Sequence, residues 1–215
     1  MIYYQIVRSI DERGQTFTRS ARKAQIVGCA IEVIAEVGWA QTSIRKIADR
    51  VGVAMSAVLY HFGTKDNLVD AIIEEMYRTA LAAVGPAIDA EITAAGKLNA
   101  YIRASVGYFD SHRVHLAALT QLGTSYRPSD GRRFDQLGLS PELGKELAAL
   151  DPTAILLAGQ SDGEFGAFPV GSMALALRGA VNAVVEKILH DPDFDARSYG
   201  EDVADLFGRA VGAAR

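Results

Sequence analysis

The sequence predicts an all-α protein with a small N-terminal helical domain followed by a larger helical body. Apolar residues recur at intervals of three and four along most of the chain, which is the period of a helix with one buried face. Glycine and proline separate these segments, and no segment alternates between apolar and polar residues as a half-buried strand does. A length of 215 residues, 49% of them hydrophobic, suffices for a core in each part.

Charge is divided unequally between the two parts of the chain. Residues 1–66 contain nine Lys or Arg and six Asp or Glu, a net charge of +3, whereas residues 67–215 carry −7. A basic segment ahead of an acidic body suggests that the N-terminal part meets a polyanion. The single cysteine, Cys29, cannot form an internal disulfide, and no run of about 18 apolar residues indicates a membrane span, so we expect a cytoplasmic protein.

The N-terminal part is predicted to begin with an arm and two helices. We expect residues 1–18 to form the arm, because they show no sustained period. A first helix begins at Ser20 and ends at Gly38, which suits the position after a helix end. Ser43 predicts the N-cap of a second helix, and Gly52 predicts its C-terminal end.

A third helix is unusually short. It runs from about Ala54 to Tyr60 and ends before Gly63, and Thr64 predicts the cap of a fourth helix. Pro86 is predicted to break that fourth helix, since proline removes a backbone donor.

The body that follows is predicted to be helical throughout. Gly171–Leu189 is apolar on nearly every side, which indicates a helix buried on several sides. The other predicted elements are helices over Leu98–Phe109, Val114–Leu122, Ser140–Leu150 and Val203–Val211, helical pieces bounded by Pro152, Gly159, Gly163 and Pro169, and a loop over Gly123–Leu139.

The second and third predicted helices, joined by a turn that contains Gly52, match the helix-turn-helix arrangement. In this layout the second helix packs across the third through apolar residues such as Ile47 and Val58, and holds it at a steep angle. The third helix can then enter a major groove about 12 Å wide with its outer side chains against the base edges. The pattern therefore predicts binding to double-stranded DNA.

The segment TSIRKIADRVGVAMSAVLYHFGTKDNL resembles the DNA-binding motif of the TetR family of bacterial transcriptional regulators. The shared features are the pair Ile47-Ala48, the turn Gly52-Val53, the run Leu59–Phe62, and Lys65 followed by Leu68. The resemblance covers roughly residues 20–68, and GQSDGEF at residues 159–165 is a weaker second similarity. It implies a helix-turn-helix DNA-binding domain over residues 19–66 and a helical ligand-binding and dimerisation domain over residues 67–215.

The resemblance also implies roles for individual side chains. Arg45 falls where a base-reading arginine can lie, and its guanidinium suits guanine O6 and N7. Two positions depart from the family pattern, since Ala54 replaces a common Ser or Thr cap and Ser56 replaces a frequent Gly. The positions implied to touch bases and nearby backbone are Met55, Ser56, Ala57, Leu59 and Tyr60, and those implied to face phosphates are Thr42, Ser43, Lys46, His61 and Lys65.

In the body, the resemblance implies a homodimer and a pocket for a small-molecule effector. Gly171–Leu189 and Val203–Val211 would form half of a four-helix bundle between two copies. The middle helices combine aromatic residues with sparse polar groups, as an apolar pocket requires, and we predict that Glu75, Tyr101 and Phe109 line it. The predicted function is a transcriptional regulator, a repressor that an effector releases from operator DNA, with no catalytic residue, metal or cofactor.

Alternatives stay open at this point. Met55 and Leu59 could be ordinary core, and Arg45 and Lys46 a solvated face. A metal-dependent helical enzyme is a second possibility, because Asp110, His112 and His115 lie close in sequence, although no nucleophile accompanies them. A helical module that binds a peptide is a third.

Overall fold

The computed structural model of the protein describes the backbone of residues 2–212 and the side chains of residues 19–212. The described residues form helices and no strand, which confirms the predicted all-α class. Two short 3-10 turns lie at Trp39–Gln41 and Phe134–Gln136. The α-helices are α1 (Ile2–Val37), α2 (Ile44–Val51), α3 (Met55–Phe62), α4 (Lys65–Asp89), α5 (Ala94–Ser111), α6 (Arg113–Ser125), α7 (Pro141–Ala149), α8 (Pro152–Ser161), α9 (Val170–His190) and α10 (Ala196–Val211).

These helices assemble into two compact units. The N-terminal unit consists of the chain up to Ile73 together with Ala118–Gly138, and the C-terminal unit consists of Glu74–Ala117 together with the chain from Leu139. Helices α4 and α6 therefore contribute residues to both units. The predicted division did not place residues 118–138 with the N-terminal part of the chain. The predicted boundary between residues 66 and 67 stays a prediction.

The core of the N-terminal unit is formed by one apolar stripe from each of its helices. Helix α1 packs on α2, and α2 packs on α3. The predicted arm over residues 1–18 lies outside the residues whose side chains are described. The buried apolar side chains are Ile26, Val27, Ala30, Ile31, Val33 and Ile34 of α1, Ile47 and Ala48 of α2, Val58 and Phe62 of α3, Leu68, Val69, Ile72 and Ile73 of α4, and Ala118, Leu122, Tyr126 and Leu137 from the segment 118–138.

The prediction that Pro86 breaks the fourth helix is wrong. Helix α4 continues through Pro86 to Asp89. Proline inside a helix removes one hydrogen bond and costs about 3 kcal/mol. Val84 and Ile88 on either side of it are buried in the core of the C-terminal unit, and their burial offsets much of this cost.

The last helix is longer than predicted. It begins at Ala196, and the carboxylate of Asp195 caps it by accepting a hydrogen bond from the Ser198 amide at 2.9 Å. Its first buried residues, Ala196 and Gly200, are too small to give a strong apolar period. The signal for the start of this helix is therefore the cap and not the apolar pattern.

Helix α9 is buried on one face only within the chain, not on several sides as predicted. Its core-facing residues are Ala174, Leu177, Val181, Val184 and Ile188. On the opposite face Leu175 is 67% exposed, and the small residues Ala176, Gly179 and Ala183 are exposed as well.

No helix among the described residues is long and apolar enough to cross a membrane.

Candidate nucleic-acid interface

The frame of the candidate interface is the turn between α2 and α3. The hydroxyl oxygen of Ser43 accepts a hydrogen bond from the Lys46 amide at 3.2 Å and thereby caps α2. Gly52 ends α2 in the left-handed region, with φ of 77°, and the Gly52 and Val53 amides both donate to the Ala48 carbonyl at 3.0 Å. A side chain at residue 52 would strain this turn, so glycine is the residue that the geometry favours.

Helix α3 separates its inward and outward residues clearly. Val58 is fully buried and Phe62 is 8% exposed, so these two hold the helix against the core. Met55 is 50% exposed, Leu59 is 39% exposed and Tyr60 is 71% exposed. Helix α3 therefore presents three large side chains to solvent. The alternative that Met55 and Leu59 are ordinary core residues does not fit this exposure.

The start of α3 has no side-chain cap, as its sequence suggests. Ala54 occupies the N-cap position and contributes only its backbone carbonyl, which accepts from the Ala57 amide at 2.9 Å. The missing side-chain cap costs about 1 kcal/mol relative to Ser or Thr. Donors in the first turn of α3 thus remain available to an external acceptor such as a phosphate oxygen.

Basic side chains of α1 lie beside α3, and the sequence alone did not single them out. The guanidinium of Arg19 lies 5.5 Å from the ring centroid of Tyr60, and the ammonium of Lys23 lies 5.7 Å from that of Phe62. The exposed Arg22 belongs to the same turn of α1. The signal that could have found them is three cations within five residues, next to a helix-turn-helix.

His61 is enclosed by this basic group. Its Nδ1 atom is buried and makes no hydrogen bond within the described part of the chain. Burial lowers the pKa of His61, and the charges of Arg19, Lys23 and Arg22 lower it further. These surroundings therefore favour the neutral imidazole.

On α2, Arg45 and Lys46 are both exposed. Arg50 differs from them because it is engaged with α1. Its guanidinium lies 3.3 Å from a Glu32 carboxylate oxygen and forms a bidentate pair with Glu36, whose pKa it lowers. Arg45 and Lys46 are thus the cations that α2 can offer to another molecule.

Of the predicted phosphate-facing residues, Thr42 is buried and Lys65 is partly exposed, and both have partners within the unit. Thr42 is 3% exposed, and its hydroxyl donates to the Gly38 carbonyl at 2.8 Å. The Lys65 ammonium donates to the Thr42 carbonyl at 2.8 Å and lies 3.8 Å from the ring centroid of Trp39. Burial lowers the pKa of Lys65. These residues fix the start of α2 from inside the unit.

Residues 126–138, which we call the strap, are pinned to the first turns of α4. The Tyr126 hydroxyl donates to Asp66 at 2.8 Å, and the Tyr126 ring packs edge-on against Trp39 with centroids 5.0 Å apart. Arg132 binds both carboxylate oxygens of Asp70 at 3.1 and 2.8 Å, and the Gly138 amide donates to Asp70 at 3.1 Å. The strap is therefore part of the N-terminal unit by hydrogen bonds as well as by packing.

The C-terminal unit contains a cavity of about 390 Å³ between α4, α5, α7 and α9. Tyr101 and Phe109, two of the predicted ligand-binding residues, line this cavity. Glu75, the third, is exposed and does not belong to the lining. Glu75 belongs to an otherwise apolar stripe of α4 in the sequence, but in the structure its side chain faces solvent.

The residues considered for a metal site have other partners. Asp110 binds the Arg113 guanidinium at 2.6 Å, and the His112 Nδ1 lies 3.1 Å from the Tyr108 carbonyl. The His115 ring lies edge-on to His112 with centroids 5.5 Å apart. Within the described residues, no three His, Cys, Asp or Glu side chains are grouped so that they could hold a metal ion.

Comparison with known proteins agrees with this geometry. Residues 26–72, which contain the helix-turn-helix and parts of its flanking helices, match the family model of bacterial regulatory proteins of the tetR family. Over these residues the chain is similar to the TetR family.

The curated relatives match only part of the chain. An HTH-type transcriptional repressor of Mycobacterium tuberculosis is 42% identical over 66 residues, which are 31% of this chain and 35% of that protein. The chain thus spans about a third of the length of that curated relative.

Solved structures extend the likeness to both parts of the fold. A regulatory protein of the tetR family from Rhodococcus RHA1 is 27% identical, with a TM-score of 0.69 over 90% of this chain and 98% of that one. The regulator FadR of Bacillus subtilis, solved in complex with stearoyl-CoA, is 22% identical with a TM-score of 0.73 over 87% and 98%. These likenesses confirm the predicted fold, an N-terminal helix-turn-helix domain followed by a larger helical domain.

Proposed function

We propose that this protein is a DNA-binding transcriptional regulator that represses its target genes until a small molecule binds to its C-terminal unit. The observation that carries the proposal is the exposed face of α3 in a helix-turn-helix. Met55, Leu59 and Tyr60 face solvent, while Val58 and Phe62 hold the helix in place. Large apolar side chains on a short, rigid helix suit contact with thymine methyl groups and sugars in a major groove.

The proposed contacts fall into two groups. Base edges and nearby backbone would be met by Arg45 of α2 and by Met55, Ser56, Ala57, Leu59 and Tyr60 of α3. Phosphates would be met by Ser43, Lys46 and His61, joined by Arg19, Arg22 and Lys23 of α1. Cations around a recognition helix position the protein on DNA, whereas base contacts supply the sequence preference. Thr42 and Lys65 support the start of α2 in this proposal.

The proposed partner of each chain is a second copy of itself. Leu175 of α9 and Leu206 of α10 are 67% and 57% exposed. The exposed Ala176, Gly179 and Ala183 would let another helix approach α9 closely, since they have little or no side chain. A twofold dimer would place two recognition helices on two half-sites, and thereby gain affinity and specificity.

Release from DNA is proposed to work by a shift in population between two arrangements of the dimer. In one arrangement the two recognition helices are spaced unsuitably for DNA, and the ligand binds this arrangement more tightly. The ligand therefore weakens DNA binding, and the size of the effect is set by its difference in affinity for the two arrangements. A cytoplasmic location, where the chromosome of a bacterium lies, is part of this proposal.

Selection of DNA sites from a random pool tests the proposal directly. We expect an inverted repeat with half-sites about one helical turn apart, bound with an affinity that falls steeply with salt concentration. No enrichment of any sequence at low salt would refute the regulator proposal. Enrichment of a single asymmetric site would leave DNA binding in place and refute the dimer.

A substitution on α9 tests the dimer separately. Gly179→Arg places a long cation on the proposed interface, so we expect a monomer in sedimentation experiments and a loss of binding to the full inverted repeat. Gly107→Arg on the exposed side of α5 is the matched control, because a side chain there also meets nothing within 4 Å. If both variants remain in the state of the wild type, the interface lies elsewhere.

A further inference from the structure

The cavity in the C-terminal unit has a mostly apolar wall with one charged group. Its aliphatic side is formed by side chains such as Leu81 and Val84 of α4 and Leu147 of α7, and Phe109 lies opposite on α5. At about 390 Å³ it falls near the lower end of the range for small-molecule sites. The walls therefore suit a compact molecule with an apolar body.

The charged group is Arg178 of α9, the one charged residue that the described lining contains. Its Nη1 atom donates to both carboxylate oxygens of Asp151, at 3.1 and 2.9 Å, and lies 3.5 Å from the Thr153 hydroxyl. Arg178 and Asp151 are 37% and 40% exposed in their side chains. An ion pair of this exposure contributes only about 0–1 kcal/mol, so the guanidinium can exchange its partner at small cost.

Asp151 has a second role that does not depend on Arg178. Its carboxylate caps α8 by accepting a hydrogen bond from the Thr153 amide at 2.8 Å. If the guanidinium turned to another carboxylate, Asp151 would keep this bond and its exposure to water. The pair is thus arranged so that Arg178 can leave it without stranding a buried charge.

Tyr101 adds a hydrogen-bond donor to the lining. Burial raises the pKa of Tyr101, the charge of Asp151 raises it further, and the charge of Arg178 acts in the opposite direction. Its hydroxyl therefore stays protonated at neutral pH and can donate to an anion. A buried hydroxyl, that of Ser105, also belongs to the lining.

We infer that this cavity binds a compact organic monocarboxylate, whose acid group pairs with Arg178 and whose apolar body lies against the aliphatic and aromatic wall. The inference rests on the proposed function, in which this cavity is the effector site. A planar guanidinium matches a carboxylate with two parallel hydrogen bonds, which a neutral amide cannot reproduce. An amine would place its positive charge beside Arg178, and the nearby carboxylate of Asp151 is already paired with that arginine.

The test compares three probes that share one body: 4-phenylbutyrate, its amide and 4-phenylbutylamine, with decanoate, decanamide and decylamine as a second set. Calorimetry on the full chain measures each affinity. We expect one of the carboxylates to bind at least tenfold more tightly than its amide, and the matching amine to bind more weakly than the amide. Equal binding of carboxylate and amide, or binding of none of the six probes, would overturn the inference.

Variants locate the acid group. Arg178→Gln is expected to lower the affinity for the carboxylate to that of the amide while leaving the amide unchanged, and Arg178→Lys to keep part of the preference. Arg103→Gln is the matched control, because Arg103 on α5 forms a comparably exposed ion pair with Glu201 and does not line the cavity. A carboxylate preference that survives in Arg178→Gln would refute the assignment.

Two further measurements keep the outcome decisive. Ala80→Trp fills the cavity from α4, so it should abolish binding of carboxylate and amide together even if the arginine variants fold poorly. Operator binding is measured without any probe in every variant. Normal DNA binding with no carboxylate preference would refute this inference alone, whereas carboxylate binding without DNA binding would refute the proposed function instead.

Discussion

Two neighbouring positions on α3 allow the proposed division between core and DNA contact to be tested in one helix. Val58 is fully buried, whereas Tyr60 is 71% exposed. The Tyr60 ring lies 5.5 Å from the guanidinium of Arg19 and edge-on to the His61 ring, with ring centroids 5.3 Å apart. Val58→Ala and Tyr60→Ala both leave alanine in the same short helix. They therefore differ in which surface loses atoms and not in backbone propensity.

The structure gives the expected size of each effect. Val58→Ala removes two buried methyl groups, worth about 1.6 kcal/mol of transfer free energy at ~0.8 kcal/mol each, and the cavity raises the loss to about 2–3 kcal/mol. Tyr60→Ala removes a cation–π contact of about 0.5–1 kcal/mol and gains several tenths of a kcal/mol in helix propensity, so stability should change by less than about 1 kcal/mol. Its loss of operator affinity should be roughly 1–3 kcal/mol per half-site.

Urea denaturation measures the stability, and fluorescence anisotropy with the selected operator measures the affinity. We expect Val58→Ala to lower the urea midpoint while binding DNA almost normally at low temperature, and Tyr60→Ala to show the reverse. Tyr60→Phe separates the ring from the hydroxyl. Wild-type affinity in Tyr60→Ala would show that Tyr60 does not contact DNA, and a stability loss equal to that of Val58→Ala would show that Tyr60 belongs to the core.

Three other predictions concern the packing and the ionisation of the fold. Gly159→Ala would place a Cβ atom 2.2 Å from the Phe165 ring, so we expect it to lower the free energy of unfolding by about 1–3 kcal/mol. Gly107→Ala meets nothing within 4 Å and should raise the free energy of unfolding by about 0.5–1 kcal/mol through helix propensity. Denaturation measures both changes. Because the pKa of His61 is lowered in the folded state, the unfolded state binds a proton at this histidine first as pH falls. The free energy of unfolding should therefore decrease as pH drops through about 6.5, and this decrease should be absent in His61→Gln. Asp70→Asn loses the charge that holds the strap, and hydrogen exchange in residues 126–138 should become faster without global unfolding.

The helix-turn-helix could be predicted from the sequence because its signals are local. Ser43 and Gly52 bound α2 at the positions that the cap rules give, and Gly63 follows the end of α3. The orientation of α3 was predictable for the same reason. A helix of eight residues has room for only one buried face, and Val58 and Phe62, four residues apart, define it.

Pro86 was misjudged, and the partners of Lys65 were not predicted, because the surroundings of both residues come from distant parts of the chain. The proline is tolerated through packing in the C-terminal unit, which its own neighbours in sequence do not reveal. The lysine has the composition of a phosphate contact, yet its partners, Trp39 and the Thr42 carbonyl, lie more than twenty residues earlier. Local rules identify the kind of side chain, but its partner is decided by the fold.

Arg178 shows the same limit where function is concerned. In the sequence it interrupts an apolar helix, and an isolated arginine in such a helix is expected to reach for solvent. In the fold its guanidinium meets Asp151 at the start of α8, at the end of a cavity whose aromatic wall was partly predictable through Tyr101 and Phe109. Apolar periodicity can thus place a pocket between helices, because the apolar lining residues follow the core pattern. The polar group that selects the ligand breaks that pattern, so only the packed structure identifies it.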